Sequence, residues 1–245
     1  MQIISSPKQA ARRPNVDDDV LLLRESQLFA GLTDVRRDDV CDLALMTTVE
    51  RGALVYGPFD LPEVLYVVAQ GTVRLFSADA DGRQLTLAIL DAGAVFGESA
   101  LLGEGATGVV AEATERCRLY AIPADRLRAM IQRQPEIGVN LLLSVGSRLR
   151  RMQELSHELA YWNVHRRLAH QICLLAERYG RPTLSGDVMV ARVFTHAELA
   201  DMVGATRQTV SEGIATLMRL GILERRRRRI VVRDHPALAA FGTER

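Results

Sequence analysis

Between residues 49 and 122 short apolar runs recur about every ten residues, each closed by glycine or proline, and this rhythm constrains the fold more than any other feature. The runs cover residues 64–69, 72–77, 85–90 and 118–122 and are rich in β-branched side chains. Between them lie Gly57-Pro58, Gln70-Gly71, Asp81-Gly82 and Ala92-Gly93. Runs of this length and composition are strands, and the punctuation supplies their turns. Asp81-Gly82 between two runs predicts a tight hairpin. The expectation is a small antiparallel sandwich or barrel.

After Pro135, a good first-turn residue, the period changes to that of a helix. Leu142, Val145, Leu149, Met152, Ser156 and Leu159 alternate by three and four, which is the seam of a two-stranded coiled coil. Leu141, Leu155 and Trp162 fall off that seam and can pack on the chain's own domains. At ~1.5 Å per residue such a helix runs about 42 Å, a dimer spine. Ahead of the β-rich stretch, residues 1–20 form a polar tail, and Leu28-Phe29-Ala30-Gly31-Leu32 leads into a helix ending near Leu45. Behind the spine come a helix to Tyr179, a loop at 180–187, a strand at 188–193, two close helices, a hairpin and an Ala/Leu-rich tail. The fold class is therefore α+β. The expected division is a tail (1–20), a sensor domain (21–134), a dimerisation helix (135–163) and a C-terminal domain (164–245).

No apolar run approaches the ~18 residues of a membrane span, and the first twenty residues lack a signal-peptide core, so a cytoplasmic protein without membrane contact is expected. The cysteines, Cys41, Cys117 and Cys173, are three and scattered, which favours reduced thiols; no metal-ligand spacing stands out. The net charge of +1 hides an asymmetry. Residues 1–135 carry 14 Lys+Arg against 19 Asp+Glu, whereas residues 165–245 carry 14 against 8. A basic rear behind an acidic front points to a polyanionic partner for the rear alone.

The rear also holds the strongest motif. Thr195 with Glu198 three residues on reads as a capping box opening a short helix, ended by Gly204 in a turn. Thr206 caps a second helix to about Leu220, with Val203, Val210, Ile214 and Leu217 facing inward. Two helices joined by a tight Gly turn are a helix-turn-helix, whose second helix enters the major groove by its first turns. The outward residues there are Arg207, Gln208, Ser211 and Glu212. Arg207 suits guanine O6/N7 and Gln208 adenine N6/N7. Thr206, Thr209 and Ser211 belong to the contact surface, Thr209 and Ser211 suiting phosphate; Glu212 can accept from cytosine N4 or orient Arg207. Next, Arg225, Arg226, Arg227, Arg228 and Arg229 stand between apolar runs, a hairpin with a basic tip that reads as a phosphate clamp.

These residues resemble a known family. Thr206-Arg207-Gln208-Thr209-Val210-Ser211 and Leu220-Gly221-Ile222-Leu223 look like the winged helix-turn-helix of the CRP/FNR transcription regulators, the catabolite activator proteins and their relatives. The stretch from Leu65 to Val73 resembles the family's cyclic-nucleotide-binding β-roll. Leu90-Asp91-Ala92-Gly93-Ala94-Val95-Phe96-Gly97-Glu98 resembles the start of its phosphate-binding cassette. The resemblance covers about residues 21–236. It implies a jelly-roll-like β-roll, a long dimerisation helix and a winged helix-turn-helix. It also implies a homodimer that binds a palindromic site on double-stranded DNA and works with RNA polymerase.

The match has departures. The family's Arg-Ser pair for the cyclic phosphate falls near Thr107 and Gly108, and no arginine occurs between Arg83 and Arg116. Gly97 and Glu98 are retained, with Ser99 beside them. The Thr-Ser pair that would meet adenine falls on Met152 and Gln153. A cyclic monophosphate without a cation would leave charge poorly compensated, so cyclic AMP in the usual mode is disfavoured. An iron–sulfur cluster would need four clustered cysteines, and a haem in the sensor domain would have only Cys41 or Cys117 as ligands, so both are disfavoured. Gln208 and Glu212 replace the family's frequent Glu and Arg, which implies an atypical operator. Two other readings stand beside the regulator. One is a cyclic-nucleotide-responsive regulator with a degenerate pocket; the other is a ligand-sensing module without DNA binding. An enzyme is disfavoured, because no nucleophile–base set or paired carboxylates stand out.

Overall fold

The computed structural model describes residues 23, 26–32, 44–60, 63–103 and 107–242. The tail, Cys41 and most of the helix expected to end near Leu45 lie outside the described residues. Contacts divide the chain into two compact units, residues 1–79 with 87–151, and residues 80–86 with 152–245. Among the described residues no helix is long and apolar enough to cross a membrane.

In the first unit, β1 (Leu45–Val49), β8 (Cys117–Pro123), β3 (Val64–Gln70) and β6 (Val95–Phe96) form one antiparallel sheet in that order. The other sheet runs β2 (Leu54–Tyr56), β7 (Val110–Ala113), β4 (Val73–Ala78) and β5 (Gln84–Leu90). Leu45 thus opens a strand and does not end a helix: its register with Ala121 continues residue by residue to Val49 with Cys117. The two-residue period explains the core. On β3, Val64, Tyr66 and Val68 face the space between the sheets, together with Leu119 and Ala121 of β8. Leu65, Val67 and Ala69 point the other way, and with Tyr120 and Ile122 they meet Leu127 and Met130 of α2 (Ala124–Arg133) and Ile137 and Leu141 of α3 (Pro135–Tyr161). Burial on both faces makes β3 a continuous apolar run instead of an alternating one. The short α1 (Ser99–Leu102) follows β6.

In the second unit, α4 (Val164–Tyr179) is the central helix. Beside it, β9 (Gly180–Pro182), β10 (Val188–Val190), β12 (Arg229–Val232) and β11 (Leu223–Arg226) make a small antiparallel sheet. The expected loop at 180–187 therefore begins as a strand, and the expected strand at 188–193 stops at Val190. α5 (His196–Val203) and α6 (Arg207–Arg219) complete the helix-turn-helix, and α7 (His235–Phe241) replaces the expected tail. α6 lies so close to α4 that a Cβ on Gly213 would stand 2.7 Å from Leu168 Cδ2. A larger residue there would oblige the Leu168 side chain to shift.

Candidate DNA-binding site and sensor pocket

The helix-turn-helix is fixed by local chemistry. Thr195 Oγ1 accepts from Glu198 N at 3.1 Å and Glu198 Oε2 accepts from Thr195 N at 2.7 Å, a complete capping box. Gly204 closes α5 in the left-handed region at φ 60°. A Cβ there would come within 2.9 Å of Leu159 Cδ2. Thr206 caps α6 by accepting from Thr209 N at 3.1 Å, and its hydroxyl lies 2.8 Å from that of Thr209.

A cation that the sequence did not single out holds the turn. Arg167, buried on α4, donates Nε–H to Val203 O at 2.8 Å, and its Nη1 and Nη2 reach Trp162 O and Gly204 O. Three carbonyls thereby compensate a buried guanidinium, whose pKa burial lowers against the raising effect of Glu158.

The candidate contact residues gather at the N-terminus of α6 and on the wing, β11–β12. Arg207 and Gln208 open α6 and are exposed. Arg207, Arg225 and Arg228 border one cleft with Thr195 and His196. Ser211 is turned inward, its hydroxyl donating to Arg207 O at 2.8 Å and lying 2.7 Å from His196 Nδ1. Glu212 accepts from Gln208 Nε2 at 3.1 Å, so its partner is Gln208 and not Arg207.

The five arginines divide. Arg226 makes a two-point bond to Glu224, at 2.6 and 3.0 Å, and lies 3.6 Å from Asp187, the buried carboxylate that also holds Arg233. Hydrogen bonds from Arg226 and Arg233 hold the Glu224 carboxyl down at about 2. Arg225, Arg227 and Arg228 are exposed, and Arg229 is half-buried. Arg227 and Arg228 form the turn itself with φ of 47° and 68°. Two positive φ values in a two-residue loop are the twist that antiparallel strands need, reached here without glycine or asparagine.

On the spine, Leu142 and Leu149 are 72% and 57% exposed, and Val139, one turn earlier, is 55% exposed. Val145 packs against the first unit's own core, and Leu159 lies against Gly204. Met152 is half-buried, Gln153 is exposed, and the Ser156 hydroxyl donates to Met152 O. Of the seam residues that spacing suggested, Leu142, Leu149 and Ser156 are exposed, with Val139 and Leu143 exposed beside them, whereas Val145 and Leu159 meet their own chain.

In the first unit Gly97 is buried at φ 82°, with Val64 O 2.8 Å from where a Cβ would stand. Glu98 precedes α1, whose Ser99 is half-buried. Thr107 is exposed, and its hydroxyl accepts weakly from Val109 N at 3.4 Å. A cation does reach Glu98, from far along the chain: Arg148 of α3 donates Nη1 to both carboxylate oxygens at 2.8 and 2.9 Å, and Nη2 to Val95 O. The motif gave no sign of it, because the helical seam marks Arg148 merely as a polar neighbour of Leu149. Tyr56 stands close by, its hydroxyl kept protonated by burial first and by Glu98 second. Cys117 is fully buried with its thiol 3.2 Å from Thr72 O, and burial followed by Glu177 raises the Cys173 thiol.

Comparison with known proteins agrees with both units. Residues 46–134 match the cyclic nucleotide-binding domain, and residues 166–241 match the Crp-like helix-turn-helix domain. The chain is 30% identical over 222 residues to the cyclic AMP receptor protein of Thermus thermophilus, covering 90% of this chain and 99% of that protein. It is 30% identical to the CRP-like cAMP-activated global transcriptional regulator of Mycobacterium tuberculosis, over 77% of this chain and 84% of that one. A solved CRP/FNR-family transcriptional regulator, also from Thermus thermophilus, superposes with a TM-score of 0.67 at 28% identity, covering 82% of this chain and 99% of that one. With a β-roll, a capped helix-turn-helix and relatives aligned across nearly their whole length, the chain belongs to the CRP/FNR family of transcription regulators.

Proposed function

We propose that this regulator works in the cytoplasm as a homodimer on a palindromic operator in double-stranded DNA, in partnership with RNA polymerase and not as an enzyme. In this reading residues 21–134 sense, 135–163 dimerise and 164–245 bind DNA. Arg207 and Gln208 read base edges, Thr206 and Thr209 sit against the backbone, and Arg225, Arg227 and Arg228 neutralise phosphate. The observation that carries it is the single cleft bordered by Arg207 of the reader helix and by Arg225 and Arg228 of the wing. Ser211 and Glu212 serve through their neighbours, Ser211 under Arg207 and Glu212 holding Gln208.

A salt titration on duplex DNA tests the reading. Affinity is expected to fall linearly on a log–log plot, and Arg225→Ala or Arg228→Ala should each lower the slope by about 1. Arg226→Ala should change the slope less, because Glu224 already compensates its charge. No binding at low salt, or binding without a slope, would refute the proposal.

For the sensor we propose an effector mode other than the usual cyclic AMP clamp. The loop that would carry the clamp offers Thr107 and Gly108, and Arg148 is engaged by Glu98 and Val95 O. One observation favours a second reading: Arg148 brings to Glu98 the cation that the loop lacks, and cyclic-AMP-named relatives are 30% identical to this chain over 189 and 222 aligned residues. Calorimetry with cyclic AMP and cyclic GMP, paired with operator binding, separates the two. Micromolar binding that raises DNA affinity, and is lost in Arg148→Ala, supports the second; heat-silent titrations support the first.

A further inference from the structure

The helix-turn-helix and the wing are joined by a chain of side-chain hydrogen bonds whose protons can be placed. Arg225 Nη1 lies 3.2 Å from His196 Nε2, His196 Nδ1 lies 2.7 Å from Ser211 Oγ, and Ser211 Oγ donates to Arg207 O at 2.8 Å. A guanidinium has donors and no acceptor, so Nε2 must accept. The ring is then neutral with its hydrogen on Nδ1, which donates to the serine oxygen, and the serine hydrogen goes to the Arg207 carbonyl. Each atom has one role, and a single tautomer satisfies them all.

We infer that His196 is a positioning residue that pins the wing arginine Arg225 to the first turn of the reader helix, and that protonating the ring releases the pin. The inference rests on the DNA-binding reading above. An imidazolium has two donors and no acceptor, so the contact with Arg225 cannot survive it. The groups around the ring oppose protonation. Arg225 and Arg228 border the cleft from the wing and Arg207 from the reader helix, while Thr195 at the start of the ring's own helix is neutral. Glu224, on the same wall as the ring, is compensated by Arg226 and Arg233. Burial, then Arg225, then Arg207 move the ring below its ordinary 6.5. The ring therefore stays neutral through neutral pH, and the pin is lost as pH falls through that lowered value.

The pin fixes where Arg225 meets the phosphate backbone relative to Arg207, and so contributes to register and hence to discrimination more than to total affinity. The test uses the full chain and two duplexes. One is a site selected by the protein from a random pool; the other is a scrambled sequence of the same composition. Without DNA, nitrogen-detected NMR of the imidazoles, with the His196 signal assigned by its loss in His196→Gln, should show a neutral ring protonated on Nδ1 near neutral pH. With DNA, the ratio of selected to scrambled affinity should fall about tenfold in His196→Phe, the scale of one positioning bond. In the wild type it should hold through neutral pH and decline only as the pH falls below the ordinary imidazole value of 6.5. His196→Gln keeps an acceptor at the outer end of the side chain and cannot titrate. It should retain the ratio and flatten its pH dependence. A ring protonated on Nε2 or charged near neutral pH, an unchanged ratio in His196→Phe, or the same pH slope in His196→Gln would each overturn the inference. Failure of the wild type to bind either duplex would instead refute the DNA-binding reading, and the tautomer would still decide whether the pin exists.

Discussion

Arg207→Ala is expected to weaken operator binding by ~1–3 kcal/mol and to relax sequence preference at one base pair of each half-site, leaving other positions unchanged. The residue opens α6 directly after its cap, where a recognition helix meets base edges. The substitution removes the guanidinium and keeps the main-chain carbonyl, so the Ser211 bond to it survives. Thr206 still caps the helix, and alanine has high helix propensity, so the fold should tolerate the change. Binding measured against a panel of operators, each permuted at one position, gives the answer. An equal loss on every sequence would make Arg207 a phosphate contact and refute its base-reading role.

Leu149→Arg is expected to break the dimer. In one chain Leu149 is 57% exposed, so a guanidinium there costs the isolated fold little. In a two-fold interface each substitution appears twice and near its own copy, setting two unpaired charges into an apolar seam. A loss of about 3 kcal/mol would raise the dimer dissociation constant by about two orders of magnitude. Sedimentation at micromolar concentration should then show monomer with unchanged circular dichroism. An intact dimer would show that the spine does not run through Leu149. The same substitution at Val145 would be a different experiment, because that side chain leans on the first unit's core and its loss would be read as unfolding.

The elements were legible where chemistry is local. The capping box at Thr195, the Gly204 turn and the Thr206 cap need side chains three residues apart, and the sequence displays them. The β-roll was legible as a rhythm, yet Leu54–Tyr56, Val95–Phe96 and Val110–Ala113 are too short to show a period. Leu45 escapes the strand pattern because its strand is half-exposed and has Thr-Thr in its middle. Spacing gives a stripe on the long helix, but it does not show that Val145 leans on the sheet and helices of its own unit. Contacts across long separations were not legible. Nothing near residue 98 announces Arg148, nothing near residue 196 announces Arg225, and Arg167 looks like any helical arginine until three carbonyls surround it. The run of five arginines also reads as uniform, whereas pairing in the sheet sends alternate side chains to opposite faces and gives Arg226 to Glu224.

The tip of the wing has a consequence for how this protein could be improved. Arg227 and Arg228 occupy backbone conformations that L-residues with a Cβ avoid, at about 1 kcal/mol or more each. An Asn-Gly tip would relieve that strain and tighten the hairpin, but it would remove two cations from the surface proposed to face DNA. A search for thermostable variants would therefore be drawn to this turn first, and its winners there would be poorer regulators. Stability and grip compete at the same two residues.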